Sequence, residues 1–136
     1  MTTEANALAD ALGKAIGDRD VEQVRALYAE DIVVWHGSTN VEQSKEENVG
    51  LLAAVFAITS ELGYKDIVRH DIADGVVQQH RLAGKFDDGK PIPDLLACLV
   101  IKTASGKITR IDEYFDSAAF GEMAERLQAL SAEPAA

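Results

Sequence analysis

Three histidines, His36, His70 and His80, and one unusually placed carboxylate, Glu113, are the residues of this chain best suited to proton chemistry. His36 closes the run Ile32-Val33-Val34-Trp35-His36 and shares a strand face with Val34. An imidazole there takes or gives a proton near neutral pH, because its ordinary pKa is about 6.5. Glu113 alternates with Ile111 and Phe115. A carboxylate on such an apolar face is costly to bury unless it is paired or functional. Burial also raises its pKa and makes it a usable general acid or base. The opposite set, Arg110, Asp112 and Tyr114, is more polar, so Glu113 is expected to face inward. The competing readings are plain ones. His36 would be a half-buried strand residue bonded to a loop carbonyl, and the Glu113 face would be the outer, dimer-forming one.

His80 and Arg81 offer a further group, but a regular strand cannot point both of them inward. A pocket histidine would complete an acid/base set with His36. A pocket arginine would instead bind an anionic or carbonyl oxygen. Asp74-Gly75 is a type I′ hairpin signal. A loop at those two residues sets Ala73 against Val76 and His70 against Gln79. One face then carries Val68, His70, Ile72, Val77, Arg81 and Ala83. The other carries Ile67, Arg69, Asp71, Val76, His80 and Leu82. Both faces are mixed, so alternation does not choose between them. Trp35 reads as packing or interface, and Cys98, inside an apolar run, as a small buried filler. No local spacing of histidines and acids matches a metal site. No glycine-rich phosphate loop or serine nucleophile elbow is present.

These groups need elements to position them. Leu8, Leu12, Ala15 and Ile16 recur at helical spacing over Glu4 to Ile16, and Gly17 is a natural stop. Asp20 caps a short second helix with Gln23 three residues on. Val21, Val24, Leu27 and Tyr28 share its face, and the strand Ile32–His36 follows. Gly37 to Asn40 reads as a polar loop. Ser44 and Glu47 form the clearest capping box and open a helix expected over Lys45 to Glu61. Extended segments then run from Tyr64, through the hairpin, across Ile92 to Thr103 and over Ile108 to Phe115. Asp116 or Ser117 caps a last helix carrying Phe120, Met123, Leu127 and Leu130. Ser131 to Ala136 reads as a frayed tail. Helices ahead of a meander of strands imply an α+β fold with a mostly antiparallel sheet, in a single domain over residues 1–136.

Composition bounds the partners. The 136 residues carry 13 Lys and Arg against 23 Asp and Glu, a formal net charge of −10. Such an anion is repelled by nucleic acid and by anionic membrane surfaces, so neither is expected as a partner. The single cysteine excludes an intrachain disulfide and a four-cysteine zinc site. Met1 to Asp10 lacks the pattern of a secretory signal, and no apolar stretch approaches the ~18 residues of a membrane span. The expected location is the cytoplasm.

The stretch from Asp20 through Leu27-Tyr28-Ala29-Glu30-Asp31 to His36 resembles the opening of the nuclear transport factor two-like superfamily. The stretch Gly106-Lys107-Ile108-Thr109-Arg110-Ile111-Asp112-Glu113-Tyr114-Phe115-Asp116 is similar to its close. That superfamily holds ketosteroid isomerases, limonene epoxide hydrolases, scytalone dehydratases and SnoaL-like polyketide cyclases. The resemblance implies a curved sheet wrapped around a long helix, a cone with one apolar pocket. It places His36 at the isomerases' carboxylate base, Glu113 at the epoxide hydrolases' aspartate and Phe115 at a pocket aromatic. It also exposes departures. Cys98 stands at the isomerases' oxyanion-binding aspartic acid and Leu12 at their tyrosine. Arg81 matches an epoxide-hydrolase arginine, but Ala83 replaces the aspartate two residues on.

The resulting expectation is a cofactor-independent enzyme acting on a small, largely apolar cyclic or aromatic substrate. His36, Glu113 and His80 would move protons for isomerisation, aldol-type cyclisation or cleavage, or dehydration. Arg81, Val34, Trp35, Phe56, Leu96, Cys98 and Phe115 would surround the substrate. A homodimer through the outer sheet face is expected. The alternatives are a non-catalytic ligand-binding or dimerisation module, and an epoxide hydrolase-like enzyme.

Overall fold

Ser44 caps the helix that begins at Lys45. Its hydroxyl accepts from the Glu47 backbone N–H at 3.3 Å, while the Glu47 carboxylate accepts from the Ser44 N–H at 2.9 Å. This reciprocal pair satisfies two of the donors that a helix start leaves open. A computed structural model describes residues 3–132. In chain order the elements are α1 (Glu4–Asp18), α2 (Val21–Leu27), β1 (Tyr28–His36), β2 (Val41–Gln43), α3 (Lys45–Ala57), β3 (Thr59–Ile72), β4 (Gly75–Phe86), β5 (Leu95–Ala104), β6 (Lys107–Phe115) and α4 (Gly121–Ala132). A 3-10 turn at Ser117–Phe120, capped by Asp116, leads into α4.

The six strands form one curved, unclosed sheet in the order β2-β1-β6-β5-β4-β3. Every neighbouring pair is antiparallel except β1 with β6. The architecture is the expected α+β cone. The concave face carries the core, where Leu12 and Ile16 of α1 meet Val34, Leu99 and Ile111 of the sheet. Ile58, Phe86, Ile92 and Met123 make a second cluster under α4.

Several boundaries differ from the sequence expectations. α1 runs past Gly17 and ends at Arg19, in the left-handed region at φ 50°. The Arg19 guanidinium donates to the carbonyls of Phe56, at 3.1 Å, and Thr59, at 2.5 Å, which ties the helix end to the α3–β3 junction. α3 stops at Ala57 rather than Glu61, because Thr59 already pairs with Phe86 in the β3–β4 ladder. The expected polar loop is followed by a short edge strand, β2. Ser131 and Ala132 continue α4; the rest of the expected tail lies outside the described residues.

The hairpin turns one residue earlier than expected. Ile72 pairs with Gly75, so the loop is Ala73-Asp74, and His70 lies opposite Val77 instead of Gln79. Gly75 is a strand residue whose need is close approach: a Cβ there would sit 1.8 Å from the Ile101 carbonyl oxygen. Further along β3, Asp66 and Ile67 together oppose the single residue His80. This is a β-bulge, with Asp66 at φ 57°. It lets Leu62 and Tyr64 on one side, and Arg69 and Asp71 on the other, share the inner face.

Candidate active site

The cone encloses a cavity of about 400 Å³ between the concave sheet face, α1, α3 and α4. Its wall is mainly apolar, with a few polar groups set into it. This is the usual make-up of a small-molecule site.

Two of those groups come from the parallel pair β1–β6. The β1–β6 register places Val34 beside Ile111 and His36 beside Glu113, so one inward row of each strand delivers its polar residue to the same place. His36 Nε2 lies 3.5 Å from Glu113 Oε1. That is ion-pair range and slightly longer than a good hydrogen bond. Glu113 retains 27% of its side-chain exposure, and it borders the cavity. Burial pushes its carboxyl up from 4.5 to about 7. Burial lowers the His36 imidazole below 6.5. Burial thus disfavours the charged form of each partner: the carboxyl keeps its proton to higher pH, and the imidazole gives its proton up more readily.

His80 enters the cavity from β4. It lies level with Ala97 of β5 and Phe115 of β6, two strands from β6, roughly 10 Å at ordinary strand spacing. Its ring stacks on Tyr64 with centroids 3.8 Å apart and planes 18° apart. Burial, with the Arg69 guanidinium adding to it, lowers its pKa from 6.5 to about 4. His80 is thus a neutral imidazole. The Tyr64 and Tyr28 hydroxyls are pushed up by burial and by the Glu113 carboxylate, so both stay protonated.

A second polar row lines the α3 side. Tyr28 Oη donates to Asn48 Oδ1 at 2.7 Å, and Asn48 Nδ2 donates to Gln43 Oε1 at 2.9 Å. Sequence reasoning missed this row, as it missed Tyr64 and Gln78. One signal was available: Asn48 stands next to Val49 in the buried stripe of α3 and is 3% exposed. A polar residue at such a position needs a partner.

Val34, His36, Phe56, His80, Glu113 and Phe115 all border the cavity. Four residues expected there do not. Arg81 points away from it and pairs with Asp66 and Asp94, each at 3.0 Å. Inward His80 forces this, because adjacent strand residues take opposite faces. Trp35 lies on the outer face, donating to Asn40 Oδ1 at 2.9 Å and meeting Tyr114 edge-on at 5.1 Å. Leu96 is 61% exposed, and Cys98 shares its face. Leu95, Ala97 and Leu99 line the wall in their place. The position equated with the isomerases' oxyanion-binding acid therefore does not face the cavity, whereas Leu12 does. His70 is exposed on the hairpin. Among the described residues no cluster of three or more His, Cys, Asp or Glu side chains could hold a metal ion, and no helix is long and apolar enough to cross a membrane.

No protein-family profile matches the chain. No curated protein matches it by sequence. Solved structures do match by shape. A Bacillus subtilis protein provisionally named an isomerase is 16% identical, with 90% of this chain and 94% of that chain covered and a TM-score of 0.76. A Shewanella putrefaciens protein provisionally named a SnoaL-like polyketide cyclase is 14% identical over 92% and 98%, also at 0.76. PrhC from Penicillium brasilianum is 17% identical over 94% and 90%, again at 0.76. At these identities the likeness shows the fold, the cone shared by SnoaL-like, ketosteroid isomerase-like and NTF2-like proteins.

Proposed function

We propose that this chain, built on the NTF2-like cone, is an acid/base enzyme that acts without a cofactor on a small, largely apolar cyclic substrate. The observation that carries this is the His36–Glu113 pair at 3.5 Å in a mainly apolar cavity of about 400 Å³. In its ionised form the Glu113 carboxylate removes a proton from an activated carbon. His36, neutral and beside it, accepts or returns that proton. His80, roughly 10 Å along the sheet, polarises an oxygen of the substrate. Isomerisation, aldol-type ring closure or cleavage, and dehydration all reduce to these moves. A carboxyl with a pKa near the working pH is well matched to both halves of such a cycle.

The same observations weigh against the two alternatives. A purely ligand-binding module has no use for a carboxyl set beside an imidazole in an apolar cavity, and burying one is costly. An epoxide hydrolase-like reaction would draw on Arg81, which faces the opposite side of the sheet. The outer sheet face, with Leu96 61% and Tyr114 53% exposed, supports a homodimer.

The test is hydrogen exchange at the acidic carbon of 2-tetralone, a bicyclic ketone sized for the cavity, followed by NMR in deuterated buffer. The wild-type protein is expected to accelerate it, and His36→Ala and Glu113→Gln to lower the acceleration by roughly 10²-fold or more. Equal acceleration by both variants, or none by the wild type, rejects the reading.

A further inference from the structure

Behind His80 stands a chain of buried polar groups that the acid/base pair does not use. Arg69 Nε lies 2.7 Å from Gln78 Oε1, and Gln78 Nε2 lies 2.9 Å from His80 Nδ1. A guanidinium only donates, so the Gln78 atom facing it must be the oxygen. The Gln78 amide nitrogen then faces the imidazole, and it too only donates. His80 Nδ1 must therefore offer its lone pair, which leaves the ring proton on Nε2. Gln78 is 1% exposed, so water does not replace either contact.

The relay is anchored from outside. The other arm of Arg69 donates to Asp10 Oδ1 at 2.5 Å and to the Asn6 carbonyl at 3.4 Å, both on α1. Asp10 offsets the guanidinium charge, and Tyr64 fixes the plane of the His80 ring. His80 Nε2 has no hydrogen-bond partner among the described residues, and the residue borders the cavity.

We propose that Arg69 and Gln78 form a positioning relay that holds His80 as a neutral Nε2–H donor for a carbonyl oxygen, which makes the substrate a neutral ketone or ester. This rests on the acid/base reading of the cavity and narrows it. A neutral N–H donor stabilises an oxygen that gains negative charge when a neighbouring carbon loses its proton. It has no full charge with which to hold a carboxylate, and an ionised Glu113 in the same cavity repels one.

The first test needs no substrate. Long-range proton–nitrogen NMR spectra of the whole protein at neutral pH read the protonation of each ring nitrogen in its three histidines. His80 is expected to show a bare Nδ1 and a protonated Nε2. Gln78→Glu replaces the donor with an acceptor and is expected to move the proton to Nδ1. A wild-type His80 protonated on Nδ1, or on both nitrogens, overturns the relay. The second test compares equilibrium binding of 2-acetylnaphthalene and 2-ethylnaphthalene. The ketone is expected to bind about fivefold more tightly to the wild type, the worth of one neutral hydrogen bond, and the advantage to vanish in Gln78→Glu. Equal affinities in the wild type, or no binding of either, overturn the substrate class. Should Gln78→Glu fail to fold, the two wild-type results still decide. Absent exchange of 2-tetralone with the His80 tautomer as stated rejects the acid/base reading alone.

Discussion

His36 and Glu113 are direct partners on the only parallel strand pair of the described sheet, with Nε2 3.5 Å from Oε1. Parallel pairing brings residues far apart in sequence side by side with both side chains on one face. Here that face is the inside of the cone. The carboxyl is desolvated there, and its raised pKa follows from that placement.

Activity is therefore expected to follow the ionisation of Glu113. With its pKa at about 7, kcat/KM should fall about tenfold per pH unit below that value and level off above it. Glu113→Gln should lower kcat by roughly 10²–10⁴-fold and flatten this limb. A pH–rate profile of both proteins checks it. An unchanged limb in the variant would assign the titration to another group.

Stability should respond in the opposite sense. The Glu113 carboxyl titrates near 4.5 when unfolded and at about 7 when folded, so its favourable contribution is complete below 4.5 and is lost as pH rises through 7. A rise of that size corresponds to about 3 kcal/mol. Glu113→Gln does not titrate. Its stability relative to wild type should increase by about that amount between pH 4 and pH 8, as read by urea denaturation at the two pH values. A constant difference would mean that the carboxyl is not buried.

Arg81 carries two exposed ion pairs, with Asp66 and Asp94, and no cavity contact. Such pairs contribute about 0–1 kcal/mol. Arg81→Met should therefore cost less than about 1 kcal/mol in chemical denaturation and leave kcat/KM within about twofold. A large loss of activity would place the guanidinium in the reaction after all.

Leu96 projects from the convex face with 61% of its surface exposed, on the same face as Tyr114 at 53%. If two copies meet on this face, Leu96→Glu places a charge in an apolar contact that has no partner for it. Sedimentation should show a dimer for the wild type and a monomer for the variant. A wild type that remains monomeric at high concentration excludes this interface.

Much of this was legible in the sequence wherever the information is local. The Ser44–Glu47 box fixed the start of α3, since a capping box is a contact between residues three apart. The inward set of β6 could be read because Ile111, Glu113 and Phe115 contrast with Arg110, Asp112 and Tyr114. The resemblance to the cone fold rested on the stretches Asp20 to His36 and Gly106 to Asp116. The phase of β5 and of the hairpin could not be read. Leu95 to Ile101 is apolar on both faces, so alternation is silent, and only pairing with β4 and β6 turns Ala97 and Leu99 inward and Leu96 and Cys98 outward. His80 rather than Arg81 faces the cavity because the unbroken β4–β5 pairing sets His80 beside inward Ala97 and Arg81 beside outward Leu96, while the bulge at Asp66 and Ile67 and the turn at Ala73-Asp74 decide which residues of β3 join them. Sequence determined which residues were capable of proton chemistry. Long-range register decided which of them meet, because a strand's two faces are exchanged by a shift of a single residue.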